Sequence, residues 1–326
     1  GGRATPSLGG GVPPAAGRVA PASETENPDL FWGLRGGGGN FGVVTNFTYN
    51  LHPVGPEIIA GAVAWRGSDA PAVLDMYREL TANAPPEQTV VAVLRKAPPA
   101  PWLPADIHGQ PIVALFVCDT GPLAEAEARA AAIKSFGSAV GDILQRRPYV
   151  LQQSLIDGTQ PNGRRDYWKS EYFPRLEPEL LTRYMDNASR MVSPFAGMTL
   201  FPIGGRLNEL PEDYSAVGNR DAAFVLAIAA GWERAEDDAA NITWVRETWR
   251  DMRRFSTGGT YVNFLTEEDG DDRIRAAYRG NYERLIDVKT RWDPDNLFRA
   301  NKNITPRNRP DGNRVSEGRW SELRWP

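Results

Sequence analysis

Asn27-Pro-Asp-Leu-Phe-Trp-Gly-Leu-Arg-Gly-Gly-Gly-Gly-Asn-Phe-Gly-Val-Val-Thr45 is the stretch on which the reading of the fold turns. Residues 37–42 formally match G-x-G-x-x-G, which in a Rossmann unit sets a dinucleotide pyrophosphate on a helix N-terminus. That arrangement needs a strand before the glycines and a helix after them. Here the order is reversed. Asn27-Pro28-Asp29 is a helix-start signal, with a capping Asn, proline in the first turn and an acid behind it. Gly36 to Gly39 end the helix, and Val43–Tyr49 reads as a β-branched and aromatic strand. A phosphate loop is also excluded, because no Gly-Lys-Ser/Thr ending follows. The glycines still offer a backbone free to take unusual φ angles and to let another group approach closely.

Outward from this loop, His52-Pro53-Val54-Gly55-Pro56 marks a boundary. An alternation then begins. Ile58–Trp65 reads as a strand and Asp69–Asn83 as a helix with Val73, Tyr77 and Leu80 on one face. Thr89–Leu94 and Ile112–Val117 are strands around a Pro-rich excursion, Ala97–Gly109. Leu123–Phe136 is a helix, and Asp142–Leu151 is extended. The order β-α-β-β-α-β predicts a split βαβ unit, an antiparallel sheet with helices on one face. A second set follows at Asp166–Tyr172, Glu177–Val192, Gly197–Pro202, Ala222–Trp232 and Asp238–Phe255, suggesting a duplication without a residue-level repeat. Thr260–Leu265 reads as a strand and Asp272–Trp292 as one periodic helix along Ile274, Tyr278, Leu285 and Trp292. The expected class is α+β, with a large antiparallel sheet covered by helices.

The 326 residues carry 37 basic and 41 acidic side chains, a net charge of -4, with 41% hydrophobic and 10% aromatic residues. This is an ordinary globular composition without the basic footprint of a nucleic-acid binder. No apolar run is long enough to span a membrane. A soluble, cytoplasmic setting is favoured, although the compartment and oligomeric state stay open. Two histidines, His52 and His108, and the lone Cys118 are too few for a zinc or iron site, and no metal is assigned. No G-x-S-x-G elbow supports a hydrolase.

The long motif Asn27–Thr45, with Leu51-His-Pro-Val54, resembles the FAD-binding domain of the berberine bridge enzyme-like oxidases, flavoproteins of the vanillyl-alcohol-oxidase (PCMH-type) fold. The resemblance recurs at Asp166-Tyr-Trp-Lys-Ser170 and Tyr261-Val-Asn-Phe264. It recurs again in Asn281-Tyr-Glu-Arg-Leu285 through Asp293-Pro-Asp-Asn-Leu-Phe298. Together these cover Arg18 to Pro306 in the family's order.

The resemblance implies FAD as cofactor, with Gly39, Asn40, Phe41, Gly42 and Val44 lining the flavin. It implies that the Tyr-x-Asn motif bridges back to the isoalloxazine, so that Tyr261 and Asn263 face the cofactor. The tyrosine would take the substrate hydroxyl proton as hydride passes to the flavin; a free tyrosine, with a pKa near 10, needs help from neighbours for that role. As part of a strand, Tyr261 and Asn263 would share one face. The resemblance also places the Tyr-Trp-Lys-Ser segment on the sheet that covers the family's substrate cavity, which makes Tyr167 and Lys169 substrate-side candidates, and alternation puts the two on one face. Residues 1–17 do not match the family's diphosphate loop or its covalent His and Cys. The expectation is therefore a chain truncated at its N-terminus, with the attachment residues absent and flavin weakly held. The expected organisation is a leader at 1–17, the C-terminal part of an FAD-binding domain at 18–55 and a substrate domain at 56–256. The family's C-terminal segment follows at 257–306 and a tail at 307–326. The expected activity is oxidation of a sugar, alcohol or secondary-metabolite hydroxyl with O2 as acceptor, the alternative being a non-catalytic binding module.

Overall fold

A computed structural model describes residues 6–7, 19–159, 161–266, 268–299 and 302–307. The leader 1–17, apart from Pro6–Ser7, and the tail beyond 307 lie outside the described residues. In chain order the principal helices are α1 (Pro28–Leu34), α2 (Ala70–Ala82), α3 (Leu123–Lys134), α4 (Pro178–Ser189), α5 (Asp238–Met252), α6 (Asp271–Tyr278) and α7 (Tyr282–Trp292). The strands of the large sheet are β1 (Glu57–Arg66), β2 (Gln88–Lys96), β3 (Pro111–Asp119), β4 (Gly141–Asp142), β5 (Gln145–Pro148), β6 (Arg165–Phe173), β7 (Gly197–Pro202) and β8 (Phe224–Trp232). The chain divides into two compact units. One comprises Gly1–Leu51, Glu212–Gly218 and Tyr278–Pro326, and the other His52–Pro211 and Asn219–Ala277.

The larger unit holds an antiparallel sheet in the order β4-β1-β3-β2-β7-β8-β6, with β5 also on β1. β3 lies between β1 and β2, and β8 lies between β6 and β7. Each half is thus a split βαβ unit, and the halves join through β2 and β7. The duplication suspected from element order is present in the topology.

Helices α2 to α5 bury residues at three- and four-residue spacing: Val73, Leu74 and Tyr77; Ala126, Ala130 and Ile133; Leu180, Leu181 and Tyr184; Trp244, Val245 and Met252. They meet alternate strand residues such as Val63, Leu94, Leu115, Met198 and Leu226 in one core. Tyr77 and Tyr184, both fully buried, satisfy their hydroxyls on the Leu200 and Met198 carbonyls of β7, at 3.1 and 2.6 Å. Register puts smaller side chains on the opposite face, among them Ala62, Ala64, Ala114, Thr199, Ala227 and Ala229. Parts of that face are covered by Leu103 and Ile107 of the Pro-rich excursion and by Phe264 against Phe201 and Val225.

In the smaller unit α1 buries Leu30, Phe31 and Trp32 and packs on α7. Asn27 stands at the helix start but does not cap it, since its φ is 48° and its Nδ2 donates to the Pro21 carbonyl.

Four expectations are corrected. Asp142–Leu151 is extended only as far as Pro148, and Tyr149–Gln153 is a short helix. Of Val43–Tyr49 only Thr48–Tyr49 is strand, paired with Pro6–Ser7; β-branched residues need a partner strand, and Val43, Thr45 and Phe47 are exposed. Asp272–Trp292 is broken at Arg279–Asn281, where Arg279 takes a φ of 49° beside Gly280. Thr260–Leu265 is not a strand. Val262–Phe264 closes into a 3-10 turn, with the Phe264 amide donating to the Tyr261 carbonyl at 2.8 Å.

Candidate functional site

The Tyr261 turn is built by its own rings and by β6. Tyr261 and Phe264 meet edge to face at 5.2 Å, and Phe264 lies on Phe201 of β7 at 6.5 Å. The Tyr261 side chain is 38% exposed, and its hydroxyl accepts a 2.6 Å hydrogen bond from Asn263 Nδ2. The turn therefore joins the two residues directly, where strand alternation would only have aligned them. With Asn263 donating to its oxygen, the phenol's own O–H is left to donate elsewhere.

Polar residues of β6 fasten the segment that carries this turn. Tyr172 donates its amide to the Gly259 carbonyl, and its own carbonyl accepts from Thr257. Ser170 Oγ and Thr260 Oγ1 lie 2.6 Å apart. On the other side of the strand, Glu171 is fully buried and accepts from Trp249, Ser256 and Arg273, the last at 2.9 Å. Burial pushes the Glu171 carboxyl up, and Arg273, Ser256, Trp249 and Arg253 oppose it.

Tyr167 and Lys169 share a face, as alternation predicts, but it is the helix-covered one. Their register partners Ala230 and Ile228 belong to the helix-packed core. Lys169, 4% exposed, pairs with Asp269 at 2.8 Å and Glu268 at 2.7 Å and donates to Thr266. Tyr167 donates to Glu268 and accepts from Arg246 of α5. Burial, then Glu268, pushes the Tyr167 hydroxyl up to about 12. Burial works against the Glu268 carboxylate, yet Arg246, Lys169 and Tyr167 together hold it down to about 2. The β6 residues on the opposite face are Trp168, Ser170 and Tyr172, beside Ala229, Ala227 and Val225.

In the smaller unit the glycine loop divides. Asn40 and Phe41 turn inward, at 4% and 0% exposure. Asn40 donates to the Gly37 and Lys302 carbonyls and accepts from the Ile304 amide. Beneath it Lys289, completely buried, donates to the Asn40 and Phe298 carbonyls and pairs with Asp293 at 2.6 Å. Asp293 in turn accepts from the Leu297 and Phe298 amides. Gly38 and Gly39 are exposed, Gly42 and Val44 half-buried, and a Cβ on Gly39 would meet nothing within 4 Å. The Tyr278 hydroxyl, close to Gly38, is buried with no hydrogen-bond partner among the described residues.

This donor set fits one side of a flavin in part. Gly39 offers accessible main chain and Tyr278 an unspent hydroxyl, whereas the Asn40 and Phe41 side chains are committed to the interior. Sequence reasoning missed Glu171, Arg273 and the Lys289–Asp293 pair. The four-residue spacing of Lys289 and Asp293 across a helix end could have found the last.

Residues 260–305 match the family model described as berberine and berberine like, a span that contains the Tyr261 turn and α7. The chain is 28% identical to (R)-6-hydroxynicotine oxidase of Paenarthrobacter nicotinovorans over 92% of its own length and 65% of that protein's. It is 23% identical to an FAD-linked oxidoreductase of Dictyostelium discoideum over 89% of its length and 61% of that protein's. The solved berberine bridge enzyme from Eschscholzia californica superposes with a TM-score of 0.76 at 16% identity, covering 91% of this chain and 65% of that one. The chain spans about three fifths of the length of these relatives. The fold and the resemblance read from the motifs are thus shown: the chain is similar to berberine bridge enzyme-like, FAD-linked oxidoreductases.

Proposed function

We propose that this chain serves an FAD-dependent oxidoreductase that oxidises a hydroxyl of a sugar, alcohol or secondary metabolite, with O2 as electron acceptor. The observation that carries this is the exposed Tyr261 hydroxyl, held by Asn263 at 2.6 Å within the segment that matches the family. FAD, when bound, supplies the hydride acceptor. The chain's own part is to hold the substrate hydroxyl at Tyr261, whose oxygen in its deprotonated form takes that proton and is left as the neutral phenol, oriented by Asn263. The small-residue face of the sheet, with Thr199, Ala227 and Ala229, is the surface on which the substrate rests. Gly39, Gly42 and Val44 approach the flavin by main chain, and Asn40 and Phe41 fix the loop from beneath. Tyr167 and Lys169 act from behind β6, positioning Thr266, Glu268 and Asp269 without touching the substrate.

The test is reconstitution with FAD, followed by visible absorbance after gel filtration and peroxide release with a panel of hydroxyl compounds. Tyr261→Phe is expected to keep flavin absorbance and lose about 100-fold or more of the turnover, the scale of a positioned proton acceptor. A variant as active as the parent would sink the role of Tyr261. A chain that neither binds flavin nor turns over would favour the binding-module reading.

A further inference from the structure

The ends of β1, β2 and β3 and the C-terminal turn of α4 enclose a cavity of about 530 Å3, wholly within the larger unit. Its lining holds three cations, Arg66, Arg95 and Lys96, and one acid, Asp106. Arg66 and Asp106 come to 3.8 Å, but their side chains are 55% and 73% exposed, so the pair neutralises little. Arg95 is half-buried, and its Nε donates to the Lys96 carbonyl at 3.2 Å. Burial and then the neighbouring Arg164 push its pKa down, and among the described residues no carboxylate offsets them. The Lys96 ammonium reaches the Val192 carbonyl at 3.4 Å.

Helix α2 adds to the positive potential. Gly67, Ser68 and Ala70 line the cavity at its N-terminus, and Asp69 makes no side-chain capping bond. The positive end of the helix dipole thus joins the three cations, while the Ala70 N–H is spent on the Gly67 carbonyl and Pro71 has none. The opposing C-terminal turn of α4 is covered by Arg190, which donates to the Asp186 carbonyl and the Asn187 side chain. Leu94, Ile112, Met185 and Met191 supply an apolar wall.

We propose that this cavity binds a small organic oxyanion, a carboxylate or phosphate monoester on an aromatic or aliphatic body, with the Arg95 guanidinium as its principal partner and Arg66 and Lys96 beside it. A half-buried guanidinium without a counter-charge is costly, and an oxyanion removes that cost while matching its planar fork. The apolar wall takes the body of the molecule, which distinguishes this ligand from a bare ion. The proposal is independent of the flavin reading.

Calorimetric titration of the full chain with phenyl phosphate, benzoate and neutral benzyl alcohol at low ionic strength tests it. At least one anion is expected to saturate a single site about tenfold or more tighter than benzyl alcohol, and the tighter anion identifies the headgroup. Arg95→Gln should weaken that binding by about tenfold or more, the loss of a charge-assisted contact. Arg234→Gln, which removes an arginine paired with Glu236 and Asp237 on the surface, should bind as the parent does. If Arg95→Gln alters the circular dichroism spectrum, Lys96→Gln carries the comparison, with weakening expected. Equal affinity for benzyl alcohol, no saturable anion binding, or parental affinity in the deciding variant overturns the proposal.

Discussion

Gly36 and Gly39 belong to one run of glycines, and their surroundings impose opposite requirements. Gly36 has a φ of 123°, and a Cβ there would lie 2.5 Å from Val217 Cγ2 and 2.7 Å from the Val217 amide nitrogen. Backbone cannot yield as a side-chain tip can, so Gly36→Ala should cost more than about 1 kcal/mol in urea unfolding. Gly39→Ala meets open space and should change stability by less than about 0.5 kcal/mol. It should weaken flavin binding if the main chain approaches the cofactor there. Glu268 makes a prediction about acid. Its folded pKa, about 2, lies below its unfolded value of 4.5. The folded state therefore binds fewer protons, and the stability it contributes is present above pH 4.5 and lost as pH falls toward 2. The carboxylate is one-third exposed, and screening leaves about 1–2 kcal/mol of the shift as stability. Chemical denaturation between pH 5 and pH 3, taken as parent minus Glu268→Gln, should show about half of that difference, the rest being lost below pH 3.

At the scale of elements, β6 shows what alternation can and cannot reveal. Its period of two correctly groups Tyr167 with Lys169 and Ser170 with Tyr172. It does not say which group faces the helices, because a strand with polar residues on both faces leaves the assignment to its neighbours. Ile228 and Ala230 decide it through the register. The Tyr261 segment departs from a strand for a related reason: aromatic and β-branched residues favour strands only where a partner strand is available. Gly258, with a φ of 91°, precedes the departure of the chain from Tyr172, and Tyr261–Phe264 then packs on itself. What holds this departure is buried charge. Arg273, 14% exposed, bonds Glu171 at 2.9 Å and the Ser170 carbonyl at 3.1 Å. Arg273→Met should cost about 2–3 kcal/mol, less than for a sole partner because Arg253, Ser256 and Trp249 remain on Glu171. The same variant should be cleaved faster between residues 256 and 273 in limited proteolysis, with Arg273→Lys intermediate.

For the whole molecule, element order was enough to read the split βαβ units and their repetition, because helix and strand periods alternate cleanly from Glu57 to Met252. The functional geometry was less legible. The Asn40–Lys289–Asp293 linkage joins residues nearly the length of the chain apart, and no local pattern marks a buried lysine as the partner of a loop carbonyl. The sheet itself has two faces of different packing, and β8 carries both. Ile228, fully buried, packs among the helices, whereas Ala229 is half-buried on the small-residue face beside Gly197 and Trp168. Truncating the first leaves a cavity in a close-packed core, so Ile228→Ala should cost about 2–5 kcal/mol. Enlarging the second intrudes on open space, so Ala229→Leu should stay within about 1 kcal/mol of the parent. If that face receives the substrate, the same enlargement raises KM in the reconstituted enzyme while the unfolding midpoint holds. A loss of stability equal to that of Ile228→Ala would instead mean that the face is packed and closed to any substrate.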